Sequence, residues 1–180
     1  IILNPLDWYT DNGITLHTSC MVTSIDTVSR IVFACGGVVE KYDKLILATG
    51  SDAVRLPLPG ANLNGVITFR DLADVESMVQ ASTAGGARAV IIGGGLLGLE
   101  AAYGLARRGM KATVVHLLDI LMERQVDASA SHLLTEALKE RGVETILGGQ
   151  SEEIVGCDGK VTALRLKDGR ILPCDILVMA

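Results

Sequence analysis

Residues 89–106 have the sequence AVIIGGGLLGLEAAYGLA, and this stretch decides the fold. The β-branched run over residues 89–92 predicts a buried strand, and the glycines after it predict a tight turn. Residues 96–108 have the apolar spacing of a helix. A membrane span is the alternative for so apolar a stretch, but Glu100 stands near its centre, where a charge costs about 2.5–3.5 kcal/mol. We therefore interpret the stretch as strand, turn and helix.

The same alternation continues toward the carboxyl end. Strands are predicted over residues 112–117 and 143–147, with a helix over residues 127–141 between them that Asp127 is suited to cap. This order predicts a doubly wound α/β unit with a parallel sheet. Residues 152–180 return to β character, and their shorter runs predict a β-meander that leads into a last apolar segment. The predicted fold class is therefore α/β, a Rossmann-like domain that combines a parallel sheet with a β-meander.

The first 50 residues have mostly β character. Short runs over residues 14–17, 20–26 and 30–34 predict strands, and the apolar run over residues 43–50 predicts a buried strand. Prolines and glycines over residues 51–70 predict a linker or crossover, followed by a helix that opens at Asp71 and ends before Gly85 and Gly86.

A shift of 132 residues aligns part of this amino-terminal region with the carboxyl-terminal meander. The four residues Gly37, Asp43, Leu45 and Ala48 then fall on Gly169, Asp175, Leu177 and Ala180. Two related dinucleotide-binding domains, each interrupted by a meander, would explain this internal similarity. Chance similarity between strands is the alternative.

Composition excludes several classes of protein. The chain has 180 residues, of which 49% are hydrophobic, so it can bury a core and is not intrinsically disordered. Its formal net charge is −5 without a block of Lys or Arg, which argues against a nucleic-acid-binding protein. No basic segment leads an apolar stretch, so no signal peptide is predicted. Because the chain begins at Ile1 and ends at Ala180 within an apolar run, we expect it to be a piece of a longer protein.

Cysteine spacing limits the redox and metal chemistry. Four cysteines occur: Cys20, Cys35, Cys157 and Cys174. None belongs to a C-x-x-C motif, so the sequence predicts no metal site and no redox disulfide of that type. Reduced thiols in a cytoplasmic protein are the favoured interpretation.

The glycines of residues 93–98 form a G-x-G-x-x-G motif between the predicted strand and helix. In this context Gly93 allows a tight turn, Gly95 lets the backbone approach a pyrophosphate, and Gly98 lets helix and strand pack closely. The helix amino terminus would offer free N–H groups to the phosphates. The predicted NAD(P)H-binding residues are Gly93, Gly94, Gly95, Leu96, Leu97 and Gly98. A glycine-rich turn without a ligand is the alternative.

The residue that ends the second strand departs from the usual pattern. An Asp or Glu about 20 residues after the glycines normally holds the adenosine ribose, but this position is His116. His116 could donate to a ribose hydroxyl or, when protonated, favour a 2′-phosphate. A surface histidine at a strand end is the alternative, and Arg124 is a second candidate for coenzyme choice. The sequence leaves NADH and NADPH both open.

Several segments together resemble the FAD-dependent pyridine nucleotide oxidoreductases. They are residues 42–51 (YDKLILATGS), the prolines and glycine of residues 57–60, and residues 93–100. Residues 8–9, 93–100, 114–117 and 121–127 are more narrowly similar to the large subunits of NAD(P)H-dependent assimilatory nitrite reductases. The resemblance covers essentially the whole chain.

The resemblance implies hydride transfer from NAD(P)H to FAD between two Rossmann-like domains. Residues 1–57 match a partial FAD-binding-domain segment, residues 58–86 a linker and crossover helix, and residues 87–180 the NAD(P)H-binding domain. The residues matched to the FAD site are Val22, Ala48, Thr49 and Gly50. Glu100 matches an acid near the nicotinamide and flavin, although stabilisation by the helix amino terminus would also explain a carboxylate there. Asp52 stands where the family often has Arg.

The resemblance also bears on partners. Iron–sulfur and sirohaem cofactors would lie outside this chain, in downstream electron-accepting domains of a longer protein used in nitrate assimilation. Neither nucleic acid nor membrane is an expected partner, and a homodimer is allowed. The alternatives are a rubredoxin- or ferredoxin-reductase-like enzyme and a non-catalytic NAD(H)-sensing module.

Overall fold

The computed structural model describes residues 4–83 and 87–180. They form two compact units, Ile1–Gly50 and Ser51–Ala180. The division falls seven residues before the one suggested by the sequence, at residue 57. Gly85 and Gly86, predicted to stop a helix, lie outside the described residues.

The first unit contains a short helix and a small antiparallel sheet. Helix α1 (Leu6–Asp11) follows Pro5, and the strands β1 (Val22–Asp26), β2 (Ile31–Ala34) and β3 (Val39–Lys41) pair in the order β1-β2-β3. The predictions over residues 20–26 and 30–34 are confirmed. The prediction over residues 14–17 is wrong, because no strand forms there.

The predicted buried strand over residues 43–50 is also absent. Residues 45–50 have no regular secondary structure, and Ile46 and Leu47 are 87% and 69% exposed. A buried parallel strand needs hydrogen-bonding partners on both sides and cover on both faces. No strand of the described residues pairs with this segment, so its apolar sequence alone does not make it a strand.

The second unit is built on a five-stranded parallel sheet. Its strands are β4 (Val66–Thr68), β5 (Arg88–Ile92), β6 (Lys111–Val115), β7 (Val143–Ile146) and β11 (Ile176–Met179), in the order β4-β11-β5-β6-β7. Every neighbouring pair is parallel. The described part of segment 58–86 contains the edge strand β4 as well as the expected crossover helix, and the domain boundaries at residues 57 and 86 stay a prediction.

Three helices accompany the sheet: α2 (Leu72–Ala81), α3 (Leu96–Arg107) and α4 (Ala128–Glu140). Asp71 and Asp74 form a capping box at the start of α2, and Asp127 caps α4 by accepting from the N–H of Ala130 at 2.9 Å. Such carboxylates satisfy N–H groups that the helix leaves free and favour its positive end. The predictions of helices opening at Asp71 and at Asp127 are confirmed.

The two faces of the sheet have different cover. Ala89, Ile91, Ile176 and Val178 lie in a core shared with residues of the helices. The residues that alternate with these four along β5 and β11 lie on the other face. There they pack with an antiparallel meander of β8 (Ser151–Cys157), β9 (Lys160–Leu166) and β10 (Ile171–Pro173). The predicted fold class, a Rossmann-like α/β domain that combines a parallel sheet with a β-meander, is confirmed; the meander covers the face where a doubly wound unit would have a second helical layer.

Within residues 4–83 and 87–180, no helix combines the length and apolarity needed to cross a lipid bilayer. The apolar stretch that opened the membrane alternative is divided between β5, a turn and α3. Strand, turn and helix is therefore the correct interpretation of it.

Candidate dinucleotide site

A cavity of about 780 Å³ lies where the parallel strands of the second unit end. It is lined by Ile92 of β5, by His116 directly after β6, and by Met179 and Ala180 at the end of β11. The sheet order reverses between β5 and β11, since β6 and β7 lie on one side of β5 and β11 on the other. Open α/β sheets bind ligands at the carboxyl ends of the strands at such a reversal.

Three glycines shape the loop between β5 and α3. Gly93 has a φ of 128°, and a Cβ there would lie 2.2 Å from the carbonyl oxygen of Ala180. A Cβ on Gly98 would lie 2.1 Å from the carbonyl oxygen of Gly93. A Cβ on Gly95, in contrast, would meet no atom within 4 Å. Gly93 and Gly98 are therefore needed for packing, whereas Gly95 leaves open space beside the backbone.

Helix α3 begins differently from its two neighbours. Its N-cap residue is Gly95, and no side chain caps it, whereas carboxylates cap α2 and α4. The first N–H groups of a helix have no partner within the helix and carry partial positive charge. At α3 no side chain caps these groups, and open space lies beside Gly95, which is the arrangement of a helix terminus that binds anions.

His116 lines the cavity, but both of its ring nitrogens are engaged within the protein. The N–H of Gly94 donates to Nδ1 at 3.0 Å, and Nε2 lies 3.2 Å from a carboxylate oxygen of Glu123. Glu123 could not be found from the sequence, because a spacing of seven residues across an irregular loop carries no pattern. The role predicted for His116 at the adenosine ribose stays a prediction.

Two arginines line the same cavity. Arg70, after β4, donates to the hydroxyl of Ser51 at 2.5 Å. Arg124 makes no ion pair with any residue that the structure describes. Sequence reasoning missed Arg70, whose place beside the cavity depends on the unexpected strand β4. The cavity thus holds guanidinium groups suited to an anionic ligand.

Glu100 is exposed and is not among the residues that line the cavity. It is the fifth residue of α3, just beyond the first turn of the helix. Interaction with the helix terminus falls off within the first turn, so it does not explain this carboxylate. The role of Glu100 beside the nicotinamide stays a prediction.

The residues matched to FAD, Val22 and residues 48–50, all belong to the first unit. Val22 is 53% exposed at the start of β1. Residues 48–50 lie in the segment without regular secondary structure. The described residues of this unit therefore show no enclosed flavin site, and these four assignments stay predictions.

None of the four cysteines lines the cavity. Cys174 is buried, which raises the pKa of its thiol to about 12, with the nearby Asp175 carboxylate adding to the effect. Desolvation, followed by the hydrogen bond and charge interaction with Cys35, also raises the pKa of the Cys20 thiol. A thiol is nucleophilic as the thiolate, so neither environment activates it.

A known protein family and several individual proteins are similar to this chain in sequence. The family model described as "Pyridine nucleotide-disulphide oxidoreductase" matches residues 7–180. Nitrite reductase [NAD(P)H] of Bacillus subtilis is 48% identical over the whole chain, which spans 22% of that relative. The nitrite reductase [NAD(P)H] large subunit of Klebsiella oxytoca is 39% identical over 97% of the chain, or 18% of its own length.

The solved structures agree with the sequence relatives. A ferredoxin reductase from Rhodopseudomonas palustris superposes with a TM-score of 0.93 and 30% identity, covering 100% of this chain and 44% of its own. The chain therefore spans about a fifth of its nitrite reductase relatives and less than half of this reductase. With a family match from residue 7 to residue 180, the chain belongs to the pyridine nucleotide-disulphide oxidoreductases, which are FAD- and NAD(P)H-dependent enzymes.

Proposed function

We propose that the chain is the NAD(P)H-binding part, with a segment of the FAD-binding part, of an NAD(P)H-dependent nitrite reductase. In that enzyme a hydride passes from the reduced nicotinamide to FAD, leaving NAD(P)⁺. The second unit binds the dinucleotide, and residues 1–57 contribute to the flavin domain. Electrons continue to domains that the nitrite reductase relatives carry beyond the matched fifth of their length.

The open space beside Gly95 is the observation that carries the dinucleotide assignment. A Cβ at Gly95 would meet nothing within 4 Å, although Gly93 and Gly98 are tightly packed. Gly95, the N-cap residue, has a φ of −82°, which residues other than glycine also adopt. A turn with only a structural role would therefore not need a glycine at this uncrowded position. A pyrophosphate that contacts the backbone explains why no side chain is present.

Titration of the chain with NADH, NADPH and FAD tests the proposal. We expect both nicotinamide dinucleotides to bind, since the loop and cavity are complete, and FAD to bind hardly at all. Gly95→Val should weaken dinucleotide binding by about tenfold or more, because a branched side chain would occupy the ligand's place. The circular dichroism spectrum should stay as in the wild type. Unchanged affinity in Gly95→Val would show that the loop is a structural turn.

A ferredoxin- or rubredoxin-reductase-like enzyme is the second candidate. The ferredoxin reductase from Rhodopseudomonas palustris covers the whole chain with a TM-score of 0.93. The two candidates share the dinucleotide site and differ in the electron acceptor. The full-length protein, supplied with NADH, should reduce nitrite under the first proposal and a ferredoxin or rubredoxin under the second. An NAD(H)-sensing module would do neither.

A further inference from the structure

The imidazole of His116 joins the glycine loop to the segment that follows β6. Its Nδ1 accepts the N–H of Gly94 at 3.0 Å, and its Nε2 lies 3.2 Å from Oε2 of Glu123. The His116 side chain is 11% exposed and that of Glu123 is 28% exposed. Both contacts are therefore largely shielded from water, where hydrogen bonds are worth more than at the surface.

These partners determine the tautomer of the ring. A backbone N–H can only donate, so Nδ1 of His116 must present a lone pair to Gly94. Nε2 then carries the proton and donates it to the Glu123 carboxylate, which fixes the ring orientation. With both nitrogens used inside the protein, neither remains free for a ribose hydroxyl or a phosphate.

Gly94 is held from both sides and fits against the ring. Its carbonyl oxygen accepts the N–H of Met122 at 2.9 Å. A Cβ on Gly94 would lie 2.6 Å from Cγ of His116 and 2.7 Å from Cδ2 of Leu121. The glycine at this motif position is thus explained by contact with the imidazole, and not by contact with a ligand.

We propose that His116 is a positioning residue that pre-organises the dinucleotide loop and does not discriminate between coenzymes. The neutral imidazole, oriented by Glu123, holds Gly94 so that Gly95 and the start of α3 face the pyrophosphate. The inference rests on the proposed function, namely that this cavity binds NAD(P)H. Its distinctive consequence is that loss of the imidazole weakens NADH and NADPH binding by the same factor, because both share the pyrophosphate.

Three variants in the 180-residue chain test the inference. His116→Leu removes the acceptor for Gly94, and we expect NADH and NADPH affinities to fall together by about tenfold, since binding must then order the loop. His116→Asn should restore most of the affinity, because Oδ1 of Asn can stand in for Nδ1. His116→Gln, whose acceptor lies further along the side chain, should not. The exposed His132→Leu in α4 is the matched control and should bind both dinucleotides like the wild type.

A spectroscopic readout keeps the test independent of ligand binding. The ¹⁵N chemical shifts of His116 should show an unprotonated Nδ1 and a protonated Nε2 in the wild type. In Glu123→Ala, Nδ1 should stay unprotonated because Gly94 still donates to it, but the Nε2 signal should shift because its proton no longer meets a carboxylate, while His132 is unchanged. An Nε2 chemical shift that is the same in Glu123→Ala as in the wild type would contradict the orienting role of Glu123.

The outcomes separate the two proposals. If the wild type binds neither NADH nor NADPH, the proposed function fails and the inference fails with it. If the wild type binds and His116→Leu changes only one of the two affinities, His116 acts at the ribose and only the inference fails. Equal, wild-type affinities in all three His116 variants would likewise overturn the inference alone.

Discussion

A methyl group on the α-carbon of Gly98 would lie 2.1 Å from the carbonyl oxygen of Gly93. The two lie five positions apart along the chain, and both belong to the loop and helix that follow β5. The contact sets how closely α3 approaches the end of the strand. Since the obstructing atom is backbone, no side-chain rotation can relieve the overlap.

Gly98→Ala should therefore destabilise the chain by about 3 kcal/mol, the upper part of the range for overpacked sites. Gly104, in the same helix, is exposed, and a Cβ there would meet nothing within 4 Å. Gly104→Ala should stabilise the chain by about 0.8–1 kcal/mol through helix propensity. Urea unfolding of both variants measures the difference, and equal midpoints would contradict the packing argument.

Arg124, and not His116, should determine how strongly the chain prefers NADPH or NADH. Arg124 is one of the residues that line the cavity and makes no ion pair with any described residue, so its guanidinium is suited to the 2′-phosphate of NADPH. Arg124→Gln should weaken NADPH binding by about tenfold, in line with about 1.5–3 kcal/mol for a hydrogen bond to a charged group. NADH binding should change by less than about twofold on the same scale.

The exposed Lys139→Gln in α4 changes the net charge equally and serves as the control for Arg124→Gln. Dissociation constants for both dinucleotides at one ionic strength decide the question, since salt screens such contacts. A parallel loss of NADPH affinity in Lys139→Gln would attribute the effect to net charge.

Features determined by local sequence could be predicted. The aspartates that cap α2 and α4 act within three residues of their own position, so their spacing is visible in the sequence. The same holds for the tight turn at Gly93 and the close packing at Gly98, which follow from the strand–turn–helix context. The resemblance to the family is likewise visible in short segments of sequence, and the family match over residues 7–180 confirms it.

Features that depend on distant partners could not be predicted. Strand β4 has only three residues and forms because β11, more than a hundred residues later, pairs with it. The run over residues 43–50 has the composition of a buried strand but no pairing partner among the described residues, and it forms no strand. The contact of Nε2 of His116 with Glu123 depends on an irregular loop in which Met122 has a φ of 51°.

Ser131 should be important for that irregular loop. Its hydroxyl accepts the N–H of Leu121 at 2.7 Å, and the two residues are 2% and 0% exposed. Ser131→Ala would leave a buried N–H without a partner, at a cost of about 1–3 kcal/mol. Ser129→Ala, exposed on the same helix, should change stability by no more than about 0.5 kcal/mol. Equal stability of the two variants in thermal or urea unfolding would contradict this role of the Ser131 hydroxyl.

The buried thiol of Cys174 should make stability depend on pH in the alkaline range. Burial raises its pKa from 9.0 to about 12 in the folded chain. Below pH 9 the thiol is protonated in both states and contributes no pH dependence. Above pH 9 the unfolded thiol ionises while the folded one does not, so stability falls by up to about 1.4 kcal/mol per pH unit until the folded pKa is reached.

Urea midpoints of the wild type at pH 8, 9 and 10 should therefore fall more steeply than those of Cys174→Ala, whatever the absolute stability of that variant. Cys157→Ala, which removes an exposed thiol, is the control and should keep the slope of the wild type. Parallel slopes for the wild type and Cys174→Ala would show that other groups cause the alkaline loss. A neutral alkylating reagent gives an independent check, because at pH 8 it should modify Cys157 while Cys174 stays protected by burial and by its protonated state.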